Sequence, residues 1–228
     1  MFYFVIIFNM KRYNIAPDEY LHIYNRGALK QPIFFNDRDR KRFLFLILFF
    51  QSSTELKNID RMFKEFIQNP ETYIQNQVDK LEDRYVELVA FCLMPNHFHL
   101  LIHELKEGGT AKYMQRVQNA YTKYINTKYQ KSGHLLQGPY KAVRVEDNEQ
   151  LLYLSSYIHK NPRELKEWKT KEVKFMWSSY QDFVIKNRWS NFLKHEIITL
   201  QFSVQNNKGN GLYLDFVKTS VAKEGYLE

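Results

Sequence analysis

The sequence predicts an α+β fold: a ferredoxin-like antiparallel sheet with helices on one face and one additional helix at its C-terminal end. Three observations carry that prediction. Four short segments have strand character, three longer ones repeat apolar residues at helical spacing, and their order is strand, helix, strand, strand, helix, strand, helix. The first six members of that series are the ferredoxin-like arrangement.

Taken in order, Tyr20 to Asn25 reads as a strand stopped by Arg26-Gly27, and Asn36-Asp37 can cap the helix that follows, with Phe43, Ile47 and Phe50 on one stripe. Residues 51–84 are polar and helix-prone, interrupted at Asn69-Pro70, and form a helical insertion without chemical spacing. Tyr85 to Met94 is an apolar run and His97 to Glu104 alternates. Pro95-Asn96 between them makes the pair a hairpin. Beyond Gly108-Gly109, Thr110 is placed to cap a helix to about Tyr129, with Met114, Val117, Tyr121 and Tyr124 on its buried stripe. Tyr140 to Val145 can form the fourth strand. Asp147 or Asn148 caps a last helix that Pro162 stops after His159. The expected division is an N-terminal extension over residues 1–19, a domain over 20–165, and a C-terminal extension over 166–228 that packs on it.

Composition narrows the function classes. The 228 residues carry 33 Lys and Arg against 25 Asp and Glu, a net charge of +8, with 44% apolar and 16% aromatic residues. Such a chain can bury a core and does not have a disordered composition. Cys92 is its one cysteine, which excludes an internal disulfide framework and a cysteine-based zinc finger and fits a cytoplasmic setting. The apolar run Phe2 to Phe8 is far shorter than the roughly 20 residues of a spanning helix and no basic residue precedes it, so neither membrane nor export is expected. A start at Met10 would also account for that run.

The charge is unevenly placed. Between Gly109 and Arg163 nine basic residues face three acidic ones, whereas residues 51–84 have five against seven. The basic stretch is interleaved with tyrosines, a pattern suited to a phosphate backbone with stackable bases. It also suits solvated helix faces over a tyrosine-containing core. Lys112, Arg116, Lys123, Lys141 and Arg144, with Arg26 from the first strand, are the candidate DNA contacts.

Two sets of residues can carry chemistry. His97 and His99 are two apart on a strand and leave the same face, where two imidazoles can hold one divalent metal; strands with two structural histidines have the same pattern. In the last helix, Tyr157 and Asn161 are four apart and share a face, while Leu151, Leu154 and Ile158 define an apolar one. Tyr153, one turn earlier on the same stripe, is the rival of Tyr157. Asn161 precedes a proline and is expected at a frayed, non-helical end. His22 and His103 are expected to be structural histidines bordering the site, and His134 and His159 to be at the surface or facing DNA.

Five motifs in order give the chain a family resemblance. Tyr20-Leu-His-Ile-Tyr-Asn-Arg-Gly27, Met94-Pro-Asn-His-Phe-His-Leu-Leu101, Gly133-His-Leu-Leu-Gln-Gly138, Tyr157-Ile-His-Lys-Asn-Pro162 and Trp177-Ser-Ser-Tyr180 together resemble the REP-associated tyrosine transposases, within the single-tyrosine HUH transposases. The resemblance implies a nuclease and strand transferase for single-stranded or hairpin DNA at palindromic repeats, acting through a 5′-phosphotyrosine. It further implies that Tyr157 is the nucleophile and that His97, His99 and Asn161 hold Mg²⁺ or Mn²⁺. The family has an arginine where Pro139 stands here. A domesticated, non-catalytic hairpin DNA- or RNA-binding protein is the alternative reading, and a ferredoxin-like metal-binding module of another kind leaves the basic stretch unexplained. Monomer and homodimer, and action of Tyr157 in its own or a partner subunit, stay equally open at this stage.

Overall fold

A computed structural model describes residues 15–203 and 209–220 of the chain. The apolar run Phe2 to Phe8 and Met10 lie outside them. Four strands, β1 (Tyr20–Arg26), β2 (Val86–Met94), β3 (His97–Glu104) and β4 (Lys141–Arg144), pair antiparallel in the order β2-β3-β1-β4. With helices α1 (Asp37–Phe49), α4 (Gly109–Tyr129) and α5 (Asn148–Lys160) in their predicted places, the fold class is the expected one. The predicted insertion contains α2 (Ile59–Gln68) and α3 (Pro70–Gln75), the latter starting on Pro70, whose missing N–H costs nothing at a helix start. Three further helices, α6 (Tyr180–Val184), α7 (Glu196–Ser203) and α8 (Gly209–Thr219), follow.

Alternation along β3 divides the sheet into two unlike faces. Phe98, Leu100 and Ile102 point toward α1 and α4, where the Phe43 ring lies 4.9 Å from both Phe98 and Tyr121. Tyr113 and Tyr121 are fully buried there, and each donates its hydroxyl to a backbone carbonyl, Ile47 and Ile33 respectively. The opposite face carries His97 and His99 and is covered by α5.

Several local expectations are corrected. Asn36 caps α1 and Asp147 caps α5, each accepting from a backbone N–H three residues on. Thr110 does not cap α4. The buried Glu104 carboxylate, at the end of β3, accepts from the N–H groups of Gly109 and Thr110 at 2.9 and 2.8 Å and from the Thr110 hydroxyl, so an anion supplied by the preceding strand serves the helix N-terminus. Asn161 is buried in helical geometry (φ −48°, ψ −38°), because α5 runs on into a 3₁₀ turn, Asn161–Glu164, with Pro162 in its first turn where no N–H is needed. His159 is fully buried, not surface or DNA-facing: its two ring nitrogens bond Tyr213 Oη at 2.7 Å and Ser179 Oγ at 2.8 Å.

The region after α5 covers the free edge of the sheet. Leu93 N–H donates to Trp177 O, Phe91 N–H to Ser179 Oγ and Lys194 N–H to Leu88 O, which occupies the outer side of β2 and closes it to further pairing. No helix among the described residues is long and apolar enough to cross a membrane.

Candidate active site

The strand pairing that builds the sheet also builds the site. His99 stands opposite Tyr24 of β1 and His97 opposite Arg26, which puts His22 on the diagonal from His99, within reach across the ladder. His22 Nε2 and His99 Nδ1 are 2.8 Å apart. The His97 and His99 rings lie 5.1 Å apart at 90°. The expected same-face pair is thus present, buried, with His22 as a third member.

Hydrogen bonding orients both rings. The Asn96 amide is fixed by donation from Nδ2 to Lys30 O at 3.1 Å, so its Oδ1 faces His97 Nδ1 at 2.7 Å and can only accept. His97 therefore carries its proton on Nδ1 and leaves the Nε2 lone pair bare. If His99 Nδ1 likewise donates to His22, its Nε2 is bare as well. Burial lowers the pKa of all three: His22 falls to about 4 and His99 well below the usual value, with the charges of His22, His97 and Arg26 adding to the effect. For His97 the lowering by burial is opposed by the Glu164 carboxylate and the Asn161 amide. Neutral imidazoles with oriented lone pairs are the form that binds metal.

Tyr157 comes to this face from α5. Its ring meets His99 edge-on at 5.4 Å and His22 at 5.9 Å. Burial, then the negative charge of Glu164 and the neighbouring Tyr24, raise its hydroxyl pKa, and Asn161 acts in the opposite direction. The hydroxyl is protonated at neutral pH. Tyr153 turns the other way, with its ring 5.6 Å from Phe216 of α8. Asn161 donates from Nδ2 to Tyr157 O at 2.9 Å, which fixes its amide, and its Oδ1 is buried without a hydrogen-bond partner.

A cavity of about 430 Å³ opens on these groups, lined by Tyr24, Arg26, His97, His99, Tyr157 and Glu164 among others. Gln137, Pro139 and Lys141 contribute to the same wall. Where the resembling family has arginine, Pro139 offers no charge, and Arg26 and Lys141 are the basic lining residues. Pro139 also borders an adjoining groove with Asn119, Lys123, Asn126 and His134.

The remaining candidate DNA contacts sit elsewhere. Lys112 and Arg116 follow the far end of β3, roughly 20 Å along the strand from His97. Lys112 lies over the Tyr85 ring, and the Arg116 guanidinium is occupied by the carbonyls of Phe50, Ser52 and Thr54. Arg116 therefore ties the insertion to α4 and is not a free cation. Arg144 pairs with Glu19 at 3.1 Å. His103 bridges Glu87 and Asp18, away from the cavity.

The residues fit a divalent metal. No group of three or more His, Cys, Asp or Glu among the described residues has metal-binding geometry, so any site must include another donor type. Asn161 Oδ1 is such a donor: a buried acceptor with no partner, on the same cavity as two neutral imidazoles, costs about 1–3 kcal/mol unless something binds it. His22, Asn96 and Glu164 were not assigned to the site from the sequence. The His22 contact depends on strand register, and Asn96 reads only as a turn residue.

Residues 57–161 match the model of a family described as "Transposase IS200 like". His97, His99, Tyr157 and Asn161 all fall within that stretch, which bears out the resemblance carried by their motifs. Among solved structures, one described as "Structure of the REP associates tyrosine transposase bound to a REP hairpin" aligns at 13% identity with a TM-score of 0.48, over 76% of this chain and 83% of that one. Among curated proteins none matches.

Proposed function

We propose that this chain is a metal-dependent, transposase-like endonuclease and strand transferase for single-stranded or hairpin DNA, with Tyr157 as its nucleophile. The observation that carries the reading is the meeting, in one cavity, of the Tyr157 ring, two oriented neutral histidines and the unpartnered oxygen of Asn161. The match to the transposase family over the stretch that contains them supports it.

His97, His99 and Asn161 would hold Mg²⁺ or Mn²⁺, which when bound supplies Lewis-acid polarisation of a non-bridging phosphate oxygen. Arg26 and Lys141 draw the phosphate backbone into the cavity and keep it there. His22 and Asn96 hold the ring orientations of His99 and His97. Tyr157 Oη attacks phosphorus and loses its proton as the bond forms. The bond to the 3′ oxygen breaks, that oxygen leaves with the electron pair and is released as a 3′-OH, and the 5′ phosphate stays on the tyrosine. Because the phosphotyrosine bond replaces a phosphodiester of similar energy, a 3′-OH from another strand can displace Tyr157 and restore a phosphodiester without ATP.

The test is incubation of the protein with 5′- and 3′-labelled hairpin DNA carrying single-stranded flanks, with Mg²⁺, Mn²⁺ or chelator. Cleavage with a free 3′-OH on one product and protein on the other, in metal only, is the expected result. Tight hairpin binding with no cleavage in either metal would replace this reading with that of a non-catalytic binder.

A further inference from the structure

The 3₁₀ turn that ends α5 places a second oxygen donor beside Asn161. In a 3₁₀ helix, side chains three residues apart lie one above the other, and the turn Asn161–Glu164 begins on Asn161 and ends on Glu164. Glu164 lines the same cavity as His97, His99 and Tyr157. We propose that the Glu164 carboxylate is a fourth protein ligand of the cation held by His97, His99 and Asn161, an assignment that rests on the metal-dependent reading above.

Three further observations support the assignment. First, Glu164 makes no hydrogen bond or ion pair with any other described residue, whereas its neighbour Arg163 is engaged with Glu172. Its carboxylate is available. Second, it is the one acidic side chain among the described residues lining a cavity whose other charges are Arg26 and Lys141. A carboxylate there repels an entering phosphodiester, and acts on both His97 and Tyr157, unless a cation neutralises it. Third, two imidazoles and one amide oxygen form a neutral, nitrogen-rich donor set that favours zinc and later transition metals. Mg²⁺ and Mn²⁺ favour oxygen, carboxylate above all. Glu164 supplies the hard, charged donor that the other three lack and tilts the site toward those ions.

The experiment titrates Mn²⁺ alone, and separately Zn²⁺ alone, into the full chain without DNA. Binding is read by calorimetry and by the loss of the free Mn²⁺ paramagnetic resonance signal. Relative to wild type, Glu164→Gln is expected to weaken Mn²⁺ by about 10–100-fold, the range typical of losing a supporting carboxylate, and Zn²⁺ by less than about threefold. The thermal midpoint should not move, because the side chain has no partner to lose. Unchanged Mn²⁺ affinity in Glu164→Gln overturns the proposal, as does equal weakening of both ions, which is the signature of distant charge and not of ligation. The two ways to fail are separable. Wild-type protein that binds neither ion removes the metal-dependent reading itself; wild-type binding with an unaffected variant removes Glu164 alone.

Discussion

The two faces of the sheet are built to opposite specifications. Under α1 and α4, Phe43, Phe98 and Tyr121 interlock and the buried tyrosine hydroxyls of Tyr113 and Tyr121 each end on a carbonyl. Under α5, the same strand presents His97 and His99, the bulk is imidazole and amide, and Asn161 Oδ1 and His22 Nδ1 end on nothing. A single alternation along β3 thus separates a face that stores stability from one that costs it. An unmet buried acceptor is tolerated where a ligand will meet it, and that is the difference between a core and a site.

Substitution on each face should break different things. The largest effect expected is on chemistry: His97→Ala or His99→Ala should slow DNA adduct formation on the order of 10³-fold, equivalent to several kcal/mol of lost charge stabilisation. Excess Mn²⁺ should restore part of that rate, measured under single turnover. On the other face, Phe98→Ala should destabilise the fold by about 3–5 kcal/mol, read from urea unfolding. If the histidine variants lose as much stability as Phe98→Ala, the division between the faces is wrong.

Acid sharpens the comparison further, because α5 is anchored by the buried His159. Burial alone lowers its pKa to about 3, and the groups around it are Tyr180, Phe183, Tyr213 and Ser179, none of them charged. The unfolded chain takes up a proton near pH 6.5 and the native chain does not until about pH 3, so stability is highest above 6.5 and falls as pH drops through that window. The contribution is about 1.4 kcal/mol per pH unit. His159→Gln should flatten that part of the stability profile; an unchanged slope would remove His159 as its source. The smallest effect concerns DNA. Lys141→Ala should reduce the slope of log affinity against log salt by about 1. Arg116→Ala should leave that slope alone and instead cost about 1–3 kcal/mol of stability, because its guanidinium serves carbonyls and not phosphates.

What the sequence made legible was whatever depends on local spacing. The helix caps at Asn36 and Asp147, the hairpin turn at Pro95-Asn96, the shared face of His97 and His99 and the neighbourhood of Tyr157 and Asn161 follow from periods of 2 and 3.6. They stand where the spacing put them. Whatever depends on register or on distant chain stayed hidden. His22 meets His99 only because β1 and β3 pair with a particular offset. Arg116 counts as surface charge until residues 50–54 fold over it, and His159 does so until α8 arrives with Tyr213. The preference for Tyr157 over Tyr153 was drawn from position near the helix end. The structure adds its reason, since one ring faces the histidines and the other faces Phe216.

That pair of tyrosines offers the most direct test of the account. Tyr153 and Tyr157 lie in one tryptic peptide, Val145–Lys160, so the protein–DNA adduct formed on hairpin substrate with Mg²⁺ or Mn²⁺ can be trimmed to a short 5′-linked nucleotide and located by fragmentation between the two. The account predicts the nucleotide on Tyr157 alone, its absence under chelator, loss of the adduct in Tyr157→Phe and its persistence in Tyr153→Phe. A nucleotide on Tyr153, or an adduct that survives in Tyr157→Phe, would contradict it.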